Sequence, residues 1–279
     1  MTTFPHSLWR LIQTPPAHGA WNMAVDEAIL DTAGSGAVLP TLRLYAWRPA
    51  CLSLGYAQPI ADVDQPALKA LGWELVRRPT GGRAILHVDE LTYSVTGPVD
   101  EPRLAGSVLE SYQTLSAALL AALRCLGIPA RALPKKDSPA NIPNADQNPI
   151  CFEVPSNYEI TVDGKKLIGS AQARRKNGVL QHGSLPLFGE LQRITLGLAF
   201  SDENARQRAA ERLVERATTA ERALGAPPTW QQAAQAFGVA FQETLNLDLQ
   251  PGELTQEETQ RAEELFRDKY ASPVWNEKI

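Results

Sequence analysis

Cysteine and histidine are scarce in this chain of 279 residues, with three of the first and four of the second. The cysteines, Cys51, Cys125 and Cys151, stand at long, irregular spacings with no CxxC pair, which argues against a disulfide framework and against a cysteine-rich metal site. No metal is expected. No run of about eighteen apolar residues occurs, so neither a membrane-spanning helix nor a membrane partner is expected. Positive charge is not in surplus either: 27 Lys and Arg stand against 31 Asp and Glu, for a net charge of -4. Nucleic acid is therefore not an expected partner, because neutralising phosphates needs a local excess of Lys and Arg. There is no P-loop, no dinucleotide fingerprint, no internal repeat and no low-complexity tract. The start MTTFPHSLWRLIQ shows no basic region followed by an apolar run, so the expectation is a reducing, cytoplasmic setting with free thiols.

What is present describes a folded domain. The chain is 44% hydrophobic and 21% charged, ordinary values for a protein with a full core. Its length predicts one main domain, residues 33–248, with a helical C-terminal extension over 249–279. Trp21, Ala24, Val25, Ala28 and Ile29 recur at helical spacing and predict a helix over 20–33, with Asp26 and Glu27 turned away from its apolar stripe. Leu42, Leu44 and Ala46 alternate with Arg43, Tyr45 and Trp47, which predicts a strand. Further strands are expected at SLGY, at WELVRR and between Ala84 and Val95, where Leu91, Tyr93 and Val95 alternate with Thr92 and Ser94. A helix is expected over 106–127, stopped by Gly127, with Cys125 as a small core residue in its last turn. Residues 128–150 carry five prolines and read as a loop, either a lid or a disordered stretch. Helices are expected over 203–224, 229–245 and 255–269, the last two started by the capping boxes Thr229 to Gln232 and Thr255 to Glu258. Short strands among scattered helices make the fold class α+β, or mixed α/β.

Two segments carry the chemistry. A thiol at Cys151, an ammonium at Lys166 and an imidazole at His182 fall within a short glycine-punctuated stretch, an inventory suited to acyl transfer. Between them, Asp163-Gly164 is a strong hairpin signal and predicts the pairs Val162 with Lys165, Thr161 with Lys166 and Ile160 with Leu167. Lys165 then lies beside the turn and reaches water, whereas Lys166 shares a mixed face with Glu159 and Thr161. Lys166 is the functional candidate for that reason. Gly169, Ser170 and Ala171 remove side-chain bulk and let a ligand come close to the backbone. His182 is expected to orient structure or ligand rather than to catalyse. The second segment is RRPTGGRAILH from Arg77 to His87, in which paired glycines can expose consecutive amides and flanking arginines add charge, a setting for a carboxylate, a phosphate or an acyl carbonyl. Cys51, inside the apolar CLSLGY run, is expected in the core.

At these residues the chain resembles the biotin/lipoate protein ligase superfamily. The matching pieces are NMAVDEAIL from Asn22, LRLYAWRPACLSLGYAQ from Leu42, VRRPTGGRAILHVDELTYSV from Val76, CFEVPSNYEI from Cys151, GKKLIGSAQARRKNGVLQHGS from Gly164 and KYASPVWN near the end. They cover most of the chain in the family's order. Within the superfamily the chain is most similar to the octanoyltransferases, because Arg83 replaces the third glycine of the ligase-like RRxxGGG pattern and a cysteine stands at 151. In those relatives an acidic residue often follows the histidine directly; here Val88 and then Asp89 follow His87.

The resemblance implies a largely antiparallel mixed sheet flanked by helices and a transfer of an octanoyl group from acyl carrier protein to a lipoyl-domain lysine. The acceptor would be a protein such as the glycine cleavage H protein or a 2-oxoacid dehydrogenase E2 subunit. It also implies that Cys151 carries the acyl group as a thioester and that Lys166 lowers the thiol's pKa, with no cofactor. Substrate contacts are then expected from Arg77, Arg78, Thr80, Gly81, Gly82, Arg83, His87, Gly169, Ser170, Ala171, Gln172, His182 and Gly183. For the apolar tail, Leu44, Tyr45, Leu54, Tyr56, Ile85 and Ile168 are candidates. Three other readings stay open: an ATP-dependent lipoate protein ligase, an amidotransferase acting between lipoyl domains, and a silent binder of such domains.

Overall fold

The computed structural model describes residues 4–134, 149–150, 158–175 and 177–279. Cys151 and most of the proline-rich stretch therefore lie outside the described residues. Among those described, a large sheet runs in the order β11 (Leu247–Gly252), β1 (Ser7–Gln13), β2 (Thr41–Tyr45), β6 (Glu90–Pro98), β10 (Gly178–Pro186), β9 (Lys165–Arg174), β8 (Tyr158–Val162), β7 (Arg131–Pro134). β11, β1 and β2 are parallel, and every later pairing is antiparallel. A second, small sheet has β3 (Cys51–Leu54) between β4 (Glu74–Arg77) and β5 (Ile85–His87). The architecture is the expected mixed α/β one.

Both faces of the large sheet are covered, and the two faces differ in chemistry. Leu42 and Leu44 of β2 and Leu91, Tyr93 and Val95 of β6 join a core with α3 (Val108–Cys125) and α6 (Trp230–Leu245). There Phe237 and Phe241 stack with ring centroids 6.4 Å apart, and Tyr93 packs against both. Burying one such side chain contributes about 1.5–3 kcal/mol. The alternate residues Arg43, Tyr45 and Ser94 point the other way, to Asp26 of α1 (Gly19–Gly34), and Thr92 on the same face bonds Trp47 and Glu90. They too are buried. A strand that alternates apolar and polar usually shows its polar face to water. Here α1 covers that face, and α1 is in turn packed against α7 (Gln256–Leu265) and β4.

Several expectations need correction. Asp26 and Glu27 leave the apolar stripe of α1 but do not reach solvent, because α1 is enclosed nearly all round. The hairpin turn forms as expected, with positive φ at Asp163 (50°) and Gly164 (76°), the geometry of a type I′ turn. Val162 pairs with Lys165 and Thr161 with Lys166, but a bulge then makes Ile160 face Ile168 instead of Leu167. Cys125 is exposed rather than in the core, while Cys51 is buried. The proline-rich stretch begins with strand β7, and Ile150 at its far end bridges Ala84. The helix expected over 203–224 breaks into α4 (Glu203–Arg216) and α5 (Ala220–Leu224), where Ala217 leaves helical φ and ψ and Thr219 caps the second piece. Strands β1 and β11 were not anticipated by the sequence reading. Thr229 and Thr255 do form reciprocal capping boxes, and Ser107 with Glu110 forms a third.

Candidate active site

The buried polar face of the large sheet and the facing edge of the small sheet line a narrow cavity. Met23 of α1, Tyr45 and Trp47 at the end of β2, and Ile85 of β5 supply apolar wall; Gly169, Ser170 and Ala171 of β9 and His182, Gly183 and Ser184 of β10 supply the small and polar wall. Its mixed lining suits a small ligand with an apolar part, since ligand pockets are mostly apolar with few fixed polar groups. The missing side chain at Gly183 is a geometric necessity: a Cβ there would sit 2.5 Å from the Gly169 carbonyl oxygen and 2.5 Å from Ser170 Oγ. Ser170 is held from two sides, its Oγ 2.7 Å from the Tyr93 hydroxyl and its carbonyl accepting from Tyr112 at 2.8 Å. Burial pushes the Tyr93 hydroxyl up to about 12, so it remains a neutral donor.

His182 sits on β10 between a carboxylate and a hydroxyl. Its Nδ1 lies 3.4 Å from Asp26 Oδ2 and its Nε2 2.7 Å from Thr80 Oγ1. Asp26 also accepts from Arg43 Nη1, Tyr45 Oη and Ser94 Oγ, each at 2.8 Å. Burial by itself would raise this carboxyl, but the Arg43 guanidinium and the His182 ring outweigh it and hold the group below the ordinary range. Burial pushes the His182 imidazole down, with Asp26 opposing. The ring is thus neutral at neutral pH. Assigned from its partners, the proton sits on Nδ1 toward the carboxylate, which leaves Nε2 to accept from Thr80.

His87 ends β5 in a parallel arrangement. Its Nδ1 is 2.7 Å from Glu90 Oε1 and its Nε2 is 2.8 Å from Ser53 Oγ, which also accepts from Arg78 Nη1 at 3.1 Å. The ring stacks on Trp47 with centroids 3.9 Å apart and planes 10° from parallel. Glu90 is therefore the acid that serves His87, three residues on. Asp89 instead pairs with Arg193 outside the cavity.

The expected site residues divide by place. Arg78, Gly82, His87, Gly169, Ser170, Ala171, His182 and Gly183 line the cavity, and Thr80 reaches it through His182. Arg78 also organises the glycine loop, donating to the carbonyls of Gly81 (2.8 Å) and Arg83 (2.7 Å). Arg77 lies away from the cavity: its guanidinium donates to the carbonyls of Gly55, Tyr56, Gln58 and Asn276. Gln172 bonds Ser111 and Gln181, one pair further along β9. Lys166 is buried on β9, ion-paired with Glu159 at 3.1 Å, three residues before Gly169. Lys165 is half-buried and donates to the Val214 carbonyl at 2.8 Å, rather than standing free in water. Of the apolar candidates, Tyr45 and Ile85 line the cavity; Leu44, Leu54 and Ile168 belong to the cores, and Tyr56 is exposed. Met23, Trp47, Ser53, Thr92 and Ser184 line it without having been singled out. Ser53, Thr92 and Ser184 carry the signal of small polar residues on the off-beat of apolar strands, and all five fall within the pieces that match the ligase superfamily.

Cys151 lies outside the described residues, but the residue before it does not. Ile150 is fully buried and bridges Ala84, whose amide donates to the Pro149 carbonyl at 2.9 Å, and Gln58 Nε2 holds the same carbonyl at 3.0 Å. Ala84 stands between Gly82 and Ile85, both in the cavity wall.

The mixed sheet, its polar face closed over a cavity beside a glycine-arginine loop and a buried strand lysine, is that of a lipoyl protein ligase-type catalytic domain. A model described as the lipoyl protein ligase A/B catalytic domain matches residues 18–242, and the chain belongs to that family. Among its relatives, an octanoyltransferase LipM of Kyrpidia tusciae is 43% identical over 270 residues, covering 96% of this chain and 98% of that protein. One from Symbiobacterium thermophilum is 42% identical over 275 residues, with 96% and 97% covered. Among solved structures, a chain of an archaeal lipoylation system from Thermoplasma acidophilum, described as a bi-partite lipoate protein ligase and its E2 lipoyl domain, aligns with a TM-score of 0.80. It is 27% identical and covers 98% of this chain and 97% of its own.

Proposed function

We propose that the chain is an octanoyltransferase that moves an octanoyl group from acyl carrier protein to a lysine of a lipoyl-domain protein through a thioester on Cys151. The observation that supports this reading is the anchorage of Ile150, the residue before Cys151, beside Ala84, whose near neighbours Gly82 and Ile85 line the cavity. The names borne by its relatives, octanoyltransferases over nearly the full length, point the same way.

In this mechanism the Cys151 thiolate attacks the octanoyl thioester carbonyl. The tetrahedral oxyanion collapses, expels the phosphopantetheine thiolate and leaves the octanoyl group on Cys151. The neutral amine of the lipoyl-domain lysine then attacks this second thioester, loses a proton and expels the Cys151 thiolate, giving a stable amide. Lys166 favours the thiolate by its charge and donates to the oxyanion. Its burial beside Glu159, on the strand that continues into Gly169, supports that role. The cavity houses the alkyl chain. An acceptor such as the glycine cleavage H protein or a 2-oxoacid dehydrogenase E2 subunit presents the lysine.

The test is incubation with octanoyl acyl carrier protein without ATP, followed by intact mass measurement. One octanoyl adduct is expected, cleaved by hydroxylamine and absent in Cys151→Ala. Lys166→Met should slow adduct formation by about 10²–10³-fold, the loss typical of removing one oxyanion donor. An adduct that survives Cys151→Ala, or modification of the lipoyl domain that needs free octanoate and ATP, would overturn the proposal in favour of a ligase.

A further inference from the structure

The reaction as written uses neither Asp26 nor His182, although both are buried and the His182 ring lines the cavity. Every oxygen of the Asp26 carboxylate faces donors, from Arg43, Tyr45, Ser94 and the His182 ring. The carboxylate therefore holds the ring with Nδ1 toward itself and Nε2 toward the Thr80 hydroxyl, 2.7 Å away. Thr80 is 1% exposed and its carbonyl accepts from the Tyr56 amide, so its place is set from both ends. The next two residues, Gly81 and Gly82, have amides with no acceptor among the described residues. Arg78 holds the Gly81 carbonyl at 2.8 Å, and in a trans peptide that fixes the Gly82 amide on the side away from this bond, unused by it. Gly82 holds φ at 92°, and its carbonyl packs where a side chain on Gly55 would stand.

We propose that His182, held by Asp26, is a positioning residue whose neutral ring accepts the Thr80 hydroxyl proton and so fixes the Gly81 and Gly82 amides as donors to the oxyanion of acyl transfer. A second proton on the ring puts a donor on Nε2, so the Thr80 oxygen must accept and its own proton turns away to seek another acceptor, which shifts the loop from its aligned position. The inference rests on the octanoyltransferase reading for its reaction and on geometry for its device. The groups acting on the ring are Asp26 from α1, Arg78 from the loop after β4 and His87 from β5, while Arg43 and Tyr45 from β2 reach it only through Asp26. Burial first, then Arg78 and His87, oppose the charged ring while Asp26 favours it, and the outcome lies below 6.5. Activity carried by the neutral ring is present above that point and fades as pH falls through it.

Single-turnover acylation of the full chain by octanoyl acyl carrier protein, followed against pH, tests this. Thr80→Val should slow acylation by about a hundredfold with little change in donor KM, the effect of misplacing a donor, and Thr80→Ser should restore the rate. His182→Ala should match Thr80→Val, and the double variant should be no slower than either, because both act on one hydrogen bond. His182→Gln offers an amide oxygen where Nε2 stood and does not titrate; it should recover rate relative to His182→Ala and abolish the acid limb. An acid limb unchanged in His182→Gln, or additive losses in the double variant, would overturn the proposal. If wild type takes up no octanoyl group, the octanoyltransferase reading fails instead. The device is then judged by ¹⁵N NMR of the imidazole: a proton on Nδ1 that gains a partner only in acid supports it, and an Nε2 proton at neutral pH ends it.

Discussion

Asp26 shows how a residue's neighbours reverse its reading. A carboxylate off the apolar stripe of a helix is ordinarily solvated, yet Asp26 is fully buried and serves the Arg43 guanidinium at 2.8 Å. Removing one partner of a buried pair leaves the other charge uncompensated, so Asp26→Asn should destabilise the protein by about 3–5 kcal/mol in urea titrations at neutral pH. The sign against pH follows from the depressed carboxyl. A lowered folded-state pKa contributes stability that is fully present above the unfolded value, near 3.8, and is lost as pH falls through the folded value. The gap between wild type and Asp26→Asn should hold at neutral pH and close in acid below 3.8; a gap that widens there would refute the assignment. Glu27, its neighbour, is held below its ordinary range against burial by Lys269, Tyr270 and Arg175. Nothing local to positions 26 and 27 announces partners so far along the chain.

At the scale of elements, local signals were legible and inter-element contacts were not. The reciprocal caps at Thr229 and Thr255 were readable because both partners lie within one turn. Thr229→Ala should cost about 1 kcal/mol, measured by urea denaturation, with the site unaffected. The type I′ turn at Asp163-Gly164 was readable for the same reason. The bulge beyond it was not, since it answers to β7 on one side and the core on the other. Gly183 belongs to this second kind. Its added Cβ would meet the Gly169 carbonyl, so Gly183→Ala should cost about 1–3 kcal/mol by overpacking and press β9 from the cavity wall. Thermal unfolding gives the first, and the rate of acyl adduct formation should fall with it.

Over the whole molecule, the C-terminal segment is tied to the loop that shapes the site. Arg77 donates from Nη2 to the Asn276 carbonyl at 2.8 Å, its amide donates to Asn276 Oδ1 at 2.7 Å, and its Nη1 holds the Gly55 to Gln58 turn. The Trp275 ring donates to the Arg77 carbonyl at 2.8 Å. Asn276→Ala should leave the buried Arg77 amide without its acceptor, costing about 1–3 kcal/mol. Hydrogen exchange should show faster opening at residues 55–58 and 77–82 in that variant, while α3 and α6, in the other core, keep their protection. Uniform loss across both cores would argue that the segment acts on global stability alone.

Composition, periodicity and spacing determined the class of fold, most helix starts and the hairpin turn. Each depends on contacts within a few residues, where one sequence implies one geometry. They also marked the chemical candidates, because thiol, ammonium and imidazole are properties of single side chains. Only the tertiary structure decided which polar face is solvent and which is site. Alternation along β2, β6 and β10 is the same whether the off-beat residues meet water or α1. With α1 packed over that face, Tyr45, Thr92 and His182 became part of the wall of a cavity, and Asp26, held by Arg43 and Ser94, became a buried anion behind it.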